Sequence, residues 1–156
     1  MSRAKDSKPM NRHIEIEQLL ASHRIRPTAN RIIVCRYLNT APGPLSVAEM
    51  EEALETIDRS TITRTVATLL EAHLLHRVDD GSGSMKYELC RDTAHPHDEP
   101  HEHTDIHPHF YCRECHRTVC LHSAPLVMPQ LPEGCVAEDA NFVITGICAD
   151  CARRMR

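Results

Sequence analysis

Between residues 11 and 22 apolar positions recur at helical spacing, with Ile14, Ile16, Leu19 and Leu20 forming the inner side of a short amphipathic helix. Residues 1–10, before it, are polar and read as a disordered tail. In HRIRPTANRIIVCRYLNT, Thr28 is a candidate N-cap, and Ile32, Ile33, Cys35, Tyr37 and Leu38 supply much of the apolar content of the helix that follows. Pro42, Gly43 and Pro44 break that helix. Ser46 and Glu49 then form the S-x-x-E capping box, whose helix has Val47, Met50, Leu54 and Ile57 along one face.

Ser60 is the expected cap of the next helix, STITRTVATLLEAHLL. Ile62, Val66, Leu69 and Leu70 lie together on it with His73 beside them, while Thr61, Arg64, Thr65 and Thr68 take the other side. Two short β segments follow, LLHRVD and MKYELC, joined by the turn-rich DGSGS. Several short helices and then a β-hairpin is the order of a winged helix. A polar helix face with threonine and arginine is also what major-groove reading requires. An ordinary solvated helix face would carry the same pattern.

From residue 91 the pattern changes. Residues 91–106 are a loop rich in proline, histidine and acid. HPHFYC reads as a strand entering a turn at Cys112–Cys115, with RTVCL as the returning strand. The prolines in HSAPLVMPQLPEG leave room for at most one short helix. VAEDANFVITGIC alternates as a long strand that delivers Cys148 beside the first CxxC, and a basic CARRMR follows.

Composition sharpens this division. Residues 1–86 carry 12 Lys+Arg and 11 Asp+Glu, a balance of +1, whereas residues 87–156 carry 6 and 11, a balance of −5. The second part also holds 8 of the 12 histidines and 7 of the 8 cysteines, so two small domains are the expected organisation. Aromatics make up only 3% and Trp is absent, so neither part can build a large core and a metal staple is expected. The start, MSRAKDSKPMNRH, lacks the apolar run of a secretory leader, and no stretch is long and apolar enough for a membrane span. A cytoplasmic protein is therefore expected, in which CxxC pairs serve metal or redox chemistry rather than structural disulfides.

The strongest chemical signal is CxxC-x32-CxxC, formed by Cys112, Cys115, Cys148 and Cys151. Two thiols two residues apart converge from one tight turn, and two such turns make a closed tetrahedral site for a structural Zn2+, one per chain. A redox CxxC and a rubredoxin-type iron site share the spacing. A second set of candidates surrounds the hairpin and the loop. Glu88 and Cys90 lie two apart on a predicted strand, hence on one face, and so do His107 and His109. His76, on the first hairpin strand, can stand across from Cys90, and Cys120 ends the strand after the knuckle. Ligands drawn from both domains would fix the angle between them, which is what a sensor requires. His95, His97, His101 and His103 are expected in a mobile loop that gathers metal weakly, and Cys35 and Cys135 as ordinary buried thiols.

Taken together, Arg26-x-Thr28-x-x-Arg31, Thr61 to Val66 (TITRTV), Tyr87 to Leu89 (YEL), HxHFxCxxC and the final CxxC resemble the ferric uptake regulator family over roughly residues 12–152. The resemblance implies an α+β protein: a winged-helix DNA-binding domain at 11–90, a His- and acid-rich hinge loop at 91–106, and a small α/β dimerisation and metal-binding domain with the four-cysteine zinc site at 107–156. It implies a homodimer closing on an inverted-repeat operator in double-stranded DNA when metal is bound. Arg26, Thr28, Arg31, Ser60, Thr61, Thr63, Arg64 and Thr65 would contribute to the DNA contact. Cys90 after YEL and His76 in LLHRVD resemble sensor ligands of the zinc uptake regulator branch. Cys120 stands where the family usually has a carboxylate, and thiolate there shifts preference towards zinc. The implied regulatory site is His76, Cys90, His107 and Cys120, with His109 competing. Thr63 replaces the usual recognition-helix tyrosine, Pro44 falls near a usual histidine ligand, and Pro108 replaces an acid of the family's third metal site.

The expected function is a zinc-responsive repressor of metal-uptake genes, with a second, regulatory Zn2+. The alternative within the family is a regulator responding to iron, manganese or peroxide, with Fe2+ or Mn2+ in that site. A zinc buffer or chaperone using the His-rich loop would leave residues 26–72 without a role. No HExxH motif, general base beside a three-ligand site or thioredoxin-like pattern is present, so an enzyme is not expected.

Overall fold

The computed structural model describes residues 14–90, 107–138 and 140–156. The expected N-terminal tail, the 91–106 loop and its histidines His95, His97, His101 and His103 lie outside them. Four helices and a small sheet come first: α1 (Ile14–Ser22), α2 (Ala29–Thr40), β1 (Leu45–Ser46), α3 (Val47–Ala53), α4 (Arg59–Glu71), β2 (Leu75–Val78) and β3 (Lys86–Leu89). The second part contains β4 (His109–Cys112), β5 (Thr118–Cys120), β6 (Val143–Gly146) and α5 (Ala149–Arg154).

The capping box at α3 forms as expected, with Ser46 Oγ accepting from the Glu49 amide and Glu49 accepting from the Ser46 amide at 2.7 Å. Two other helix ends differ from expectation. Asp58, not Ser60, caps α4: it accepts from the Thr61 amide and from the Ser60 hydroxyl, so Ser60 is spent on the cap rather than being it. The helix stops at Glu71 instead of continuing to Leu75. His73 takes a left-handed conformation (φ 55), and the His73 and Leu74 amides donate back to Leu70 and Leu69. Those two reversed bonds close a Schellman cap without the usual glycine.

The inner faces of α1–α4 meet in one apolar cluster in which Leu20, Val34, Met50, Ile62, Leu69 and Leu74 are completely buried. The first sheet has order β1-β3-β2, and β2 pairs antiparallel with β3 so that His76 lies opposite Glu88. The second has order β5-β4-β6, with β5 antiparallel and β6 parallel to β4. His109 is opposite Cys120 there. The long strand expected at 136–148 is only Val143–Gly146, because β4, its partner among the described residues, is itself four residues long. No helix forms in the proline-rich 122–134 segment.

The two sheets meet through polar groups. Buried Lys86 pairs with Asp80 at 2.7 Å and donates to Thr118 Oγ1 at 3.1 Å and the His116 carbonyl at 3.3 Å, while Thr118 donates to Asp80. Burial pushes the Asp80 carboxyl up, but the bonds from Lys86, Ser82 and Thr118 outweigh it and hold it at about 2. Gly43 lies so close to β5 that a Cβ there would be 2.1 Å from the Thr118 carbonyl oxygen. No helix among the described residues is long and apolar enough to cross a membrane.

Candidate metal centres and nucleic-acid face

The knuckle turn after β4 and the start of α5 bring Cys112, Cys115, Cys148 and Cys151 together, their sulfurs all within 4.8 Å of one another. Cys115 and Cys148 Sγ are 3.8 Å apart. Tetrahedral zinc with Zn–S bonds of about 2.3 Å needs sulfurs about 3.8 Å apart, the separation that Cys115 and Cys148 already have. The turn is held by His116, left-handed at φ 59, whose amide donates to the Cys112 carbonyl and whose Nδ1 meets the Tyr111 hydroxyl at 2.8 Å.

Charge in this cage is unevenly shared. The Cys115 and Cys148 amides, both pointing at Cys112, lower its thiol to about 6. Arg117, donating to Cys115 at 3.4 Å, pulls that thiol down as well. Arg154 draws Cys151 down, yet burial and the three neighbouring thiols together leave it raised, at about 11. Four sulfurs this close cannot all ionise against one another unless a cation at the centre offsets their charge, so the cluster is one that could hold a metal ion. Of the other two cysteines in question, Cys35 is a buried thiol pushed up to about 12 by burial, as expected. Cys135 is exposed, contrary to the sequence reading, because it lies in the extended segment outside both cores.

The second centre lies where the sheets meet. The cross-strand pair His76/Glu88 from the first sheet faces the pair His109/Cys120 from the second. Glu88 is at its middle. His107 Nε2 and His109 Nε2 each donate to Glu88 Oε2 at 3.1 Å, His76 Nε2 stands 3.4 Å from the same oxygen, and Cys120 Sγ donates to Oε1 at 2.8 Å. Burial alone would raise the Glu88 carboxyl, but bonds from His107, His109, His76 and Cys120 hold it far below the usual carboxylate range. Buried His109 Nδ1, on the far side of the ring from Glu88, has no hydrogen-bond partner among the described residues.

The donor atoms of His76, Glu88, His107 and His109 lie within 4.8 Å of one another, and so do those of Glu88, His107, Cys120 and His122. Of the residues expected in the regulatory site, His76, His107, His109 and Cys120 thus surround one carboxylate. Cys90 sits beside them with Sγ 3.6 Å from His76 Nδ1, outside both sets of four. Glu88, a candidate from the sequence, was left out of the implied regulatory site, and His122 was not singled out. Strand periodicity placed Glu88 on one face with Cys90, whereas His122 lies in the turn just after β5.

A third surface is the exposed side of α4. Arg59, Ser60, Thr63 and Arg64 line an open depression of about 660 Å³. Arg64 is steadied by bonds to the Ser60 carbonyl and Thr61 Oγ1. Arg26 and Thr28 are exposed at the start of α2, and Arg31 donates to the Arg26 carbonyl at 2.9 Å. Thr65, expected on this face, is buried: positions 62, 65, 66 and 69 form one helical stripe, and all four point into the core. Arg59, not singled out beforehand, takes part in this face while pairing with Glu51.

No protein-family model matches this chain, and no curated protein matches it. Solved structures do. The chain is similar to the ferric uptake regulator of Vibrio cholerae, at 15% identity and a TM-score of 0.57, covering 85% of this chain and 98% of that one. It is similar to a zinc uptake regulator complexed with zinc and DNA, at 20% identity and a TM-score of 0.59, covering 90% and 93%. A zinc-bound manganese uptake regulator matches at 19% identity and 0.53, covering 85% and 98%. The fold of this chain is therefore that of the metal-uptake regulators, along nearly their whole length. Those three proteins are regulators rather than enzymes.

Proposed function

We propose that this protein is a zinc-responsive transcriptional repressor that binds inverted-repeat promoter DNA as a metal-loaded homodimer and controls metal-uptake genes. The observation that carries this reading is the position of the second centre. His76 and Glu88 come from the sheet attached to the α4 helix; His109 and Cys120 come from the sheet attached to the four-cysteine cage, and His107 from the segment just before it. An ion there ties one part to the other, and it favours whichever mutual orientation its ligands can reach. Residues 11–90 act as a winged-helix domain whose α4 enters the major groove, with Arg26, Arg31, Arg59 and Arg64 on phosphates and Thr61 and Thr63 near base edges. Residues 91–106 are the hinge.

Zinc at the four-cysteine cage is structural, since four thiolates leave no open position. Residues 107–156 form the dimerisation unit. Exposed Val127, Met128, Leu131, Val136 and Ile144 support this, an apolar surface that a second copy would cover. Zinc as the sensed ion is favoured by the thiols of Cys120 and Cys90 at the pocket. Specific to a second reading, His76, Glu88, His107 and His109 offer only nitrogen and oxygen, which Fe2+ and Mn2+ also accept.

Metal content and promoter-fragment binding, measured together before and after mild chelation, test the proposal. Loss of the labile ion with retention of the cage ion should abolish specific DNA binding, and zinc should restore it. Restoration by iron or manganese alone would establish the second reading, and absence of specific DNA binding under every metal would leave a zinc buffer.

A further inference from the structure

The two oxygens of Glu88 face different partners. Around Oε2 lie His76 Nε2 at 3.4 Å and His107 and His109 Nε2 at 3.1 Å; around Oε1 lie Cys120 Sγ at 2.8 Å and His122 Nε2 at 3.9 Å. Six side chains, Glu88 included, thus crowd one pocket, more than one tetrahedral ion can use. We infer that the junction pocket holds two divalent cations bridged by Glu88, the second bound by Cys120 and His122. The inference rests on reading this pocket as a metal centre.

The first ion takes Oε2 with His76, His107 and His109, a closed set whose histidines come from both sheets. The second takes Oε1, Cys120 and His122, with water completing its coordination. Carboxylate-bridged metal pairs are about 3.5–4 Å apart. The imidazoles are packed at that scale: the His107 ring lies 4.6 Å from His109 and 4.2 Å from His122, between the two positions.

The backbone explains why both sets converge. Cys120 is opposite His109 in the β4–β5 ladder, and the turn that follows β5 brings the His122 ring to 4.2 Å from that of His107. Solvent access then separates the two ions. The side chains of His107 and His109 are 8% and 5% exposed and that of His76 is 24% exposed, against 32% for His122. The second ion is the outer and more exchangeable one. Its thiolate selects a borderline-soft cation such as zinc over manganese. On binding, Cys120 gives up to solvent the proton it now directs at Glu88, and the carboxylate that accepted it becomes the bridge.

Cobalt(II) is the probe. Full-length protein carrying zinc in its four-cysteine cage is titrated with Co2+ against a competing chelator. Bound metal is counted per chain, and thiolate-to-cobalt absorption and electron paramagnetic resonance are recorded. His122→Ala and Cys120→Ser should each bind one ion fewer than wild type, with the remaining ion still lost on further change to His76→Ala. Reading differences removes any contribution of the His-rich loop, which is common to all variants. At full loading the wild-type cobalt signal should be attenuated by coupling through the shared carboxylate and recover in His122→Ala. Equal metal counts in wild type and His122→Ala, or an unattenuated signal at full loading, would overturn the pair. The count needs no DNA: failure of promoter binding to respond to metal would sink the repressor reading and leave this result standing.

Discussion

The two parts of this chain are held together by different physics. Residues 14–90 bury an aliphatic cluster in which side chains from four helices and a hairpin exclude water. Among the described residues after 106, the buried hydrophobic ones are Tyr111, Cys112 and Cys151, and two of those are metal-ligand candidates. The same stretch leaves Val127 and Val136 more than four-fifths exposed. One part stands on apolar burial; the other, too short to build such a core, brings together four thiols that could hold a metal in its place. The junction belongs to neither, being made of carboxylate, imidazole, ammonium and thiol.

Removing the cage metal should give the largest effect. A structural zinc contributes on the order of 10 kcal/mol to the folding of a small domain. Strong chelation, or Cys112→Ser, should therefore unfold residues 107–156 while the helices of the first part persist. Hydrogen exchange resolved by residue checks this: protection should vanish in β4–β6 and survive in α2 and α4. Simultaneous loss in both parts would show that the first core depends on the second.

The converse break is Leu69→Ala. Leu69 is completely buried between α4 and its neighbours, and truncating such a leucine costs about 2–5 kcal/mol. Chemical denaturation should show that loss for the first part, with zinc content per chain unchanged. Zinc release at the same denaturant concentration would mean the parts unfold as one.

How far each part was legible in the sequence follows the same division. The helices of the first part announce themselves through period: Ile62, Val66 and Leu69 mark the inner face of α4, and Ser46/Glu49 is legible down to its hydrogen bonds. Period alone did not show that Thr65 falls within that stripe. Nor could it choose between Asp58 and Ser60 as cap, a contest the carboxylate wins by accepting from both the helix amide and the serine. The end at His73 was hidden because its left-handed turn lacks the glycine that usually marks one. In the second part, cysteine spacing pointed to the four-cysteine cage, but alternation overstated β6, since a strand ends where its partner ends. The junction pocket was legible only in pieces. That Glu88 rather than Cys90 lies at its centre depends on the register placing His76 opposite Glu88, which no local pattern encodes.

The lock beside that pocket offers a smaller and pH-dependent break. Asp80 is held at about 2 against an ordinary value of 3.8, a difference worth about 2 kcal/mol. Its carboxyl is depressed on folding, so the contribution is fully present above pH 3.8 and is lost as pH falls towards 2. The stability difference between wild type and Asp80→Asn should accordingly be constant near neutrality and shrink across that window. Urea unfolding at a series of acidic pH values measures it, and a difference independent of pH would show that Lys86 and Thr118 hold the junction without needing the charge.

The smallest expected effect tests whether the first part is as local in its stability as its sequence suggests. Ser46→Ala removes the hydroxyl that accepts from the Glu49 amide at the start of α3, and losing such a cap costs about 1 kcal/mol. Ser46 also belongs to β1, opposite Lys86, so this helix start is adjacent to the residue that binds Asp80 and Thr118. If capping is a local matter, the loss should appear equally in wild type and in Asp80→Asn, because separable contributions add. A double-mutant cycle by denaturant unfolding decides it. Additivity would keep the apolar part and the polar junction as independent devices. A coupling energy comparable to the cap itself would mean that the β1–β3 ladder transmits strain between them, which would give a metal-bound junction a route to the helices before α4.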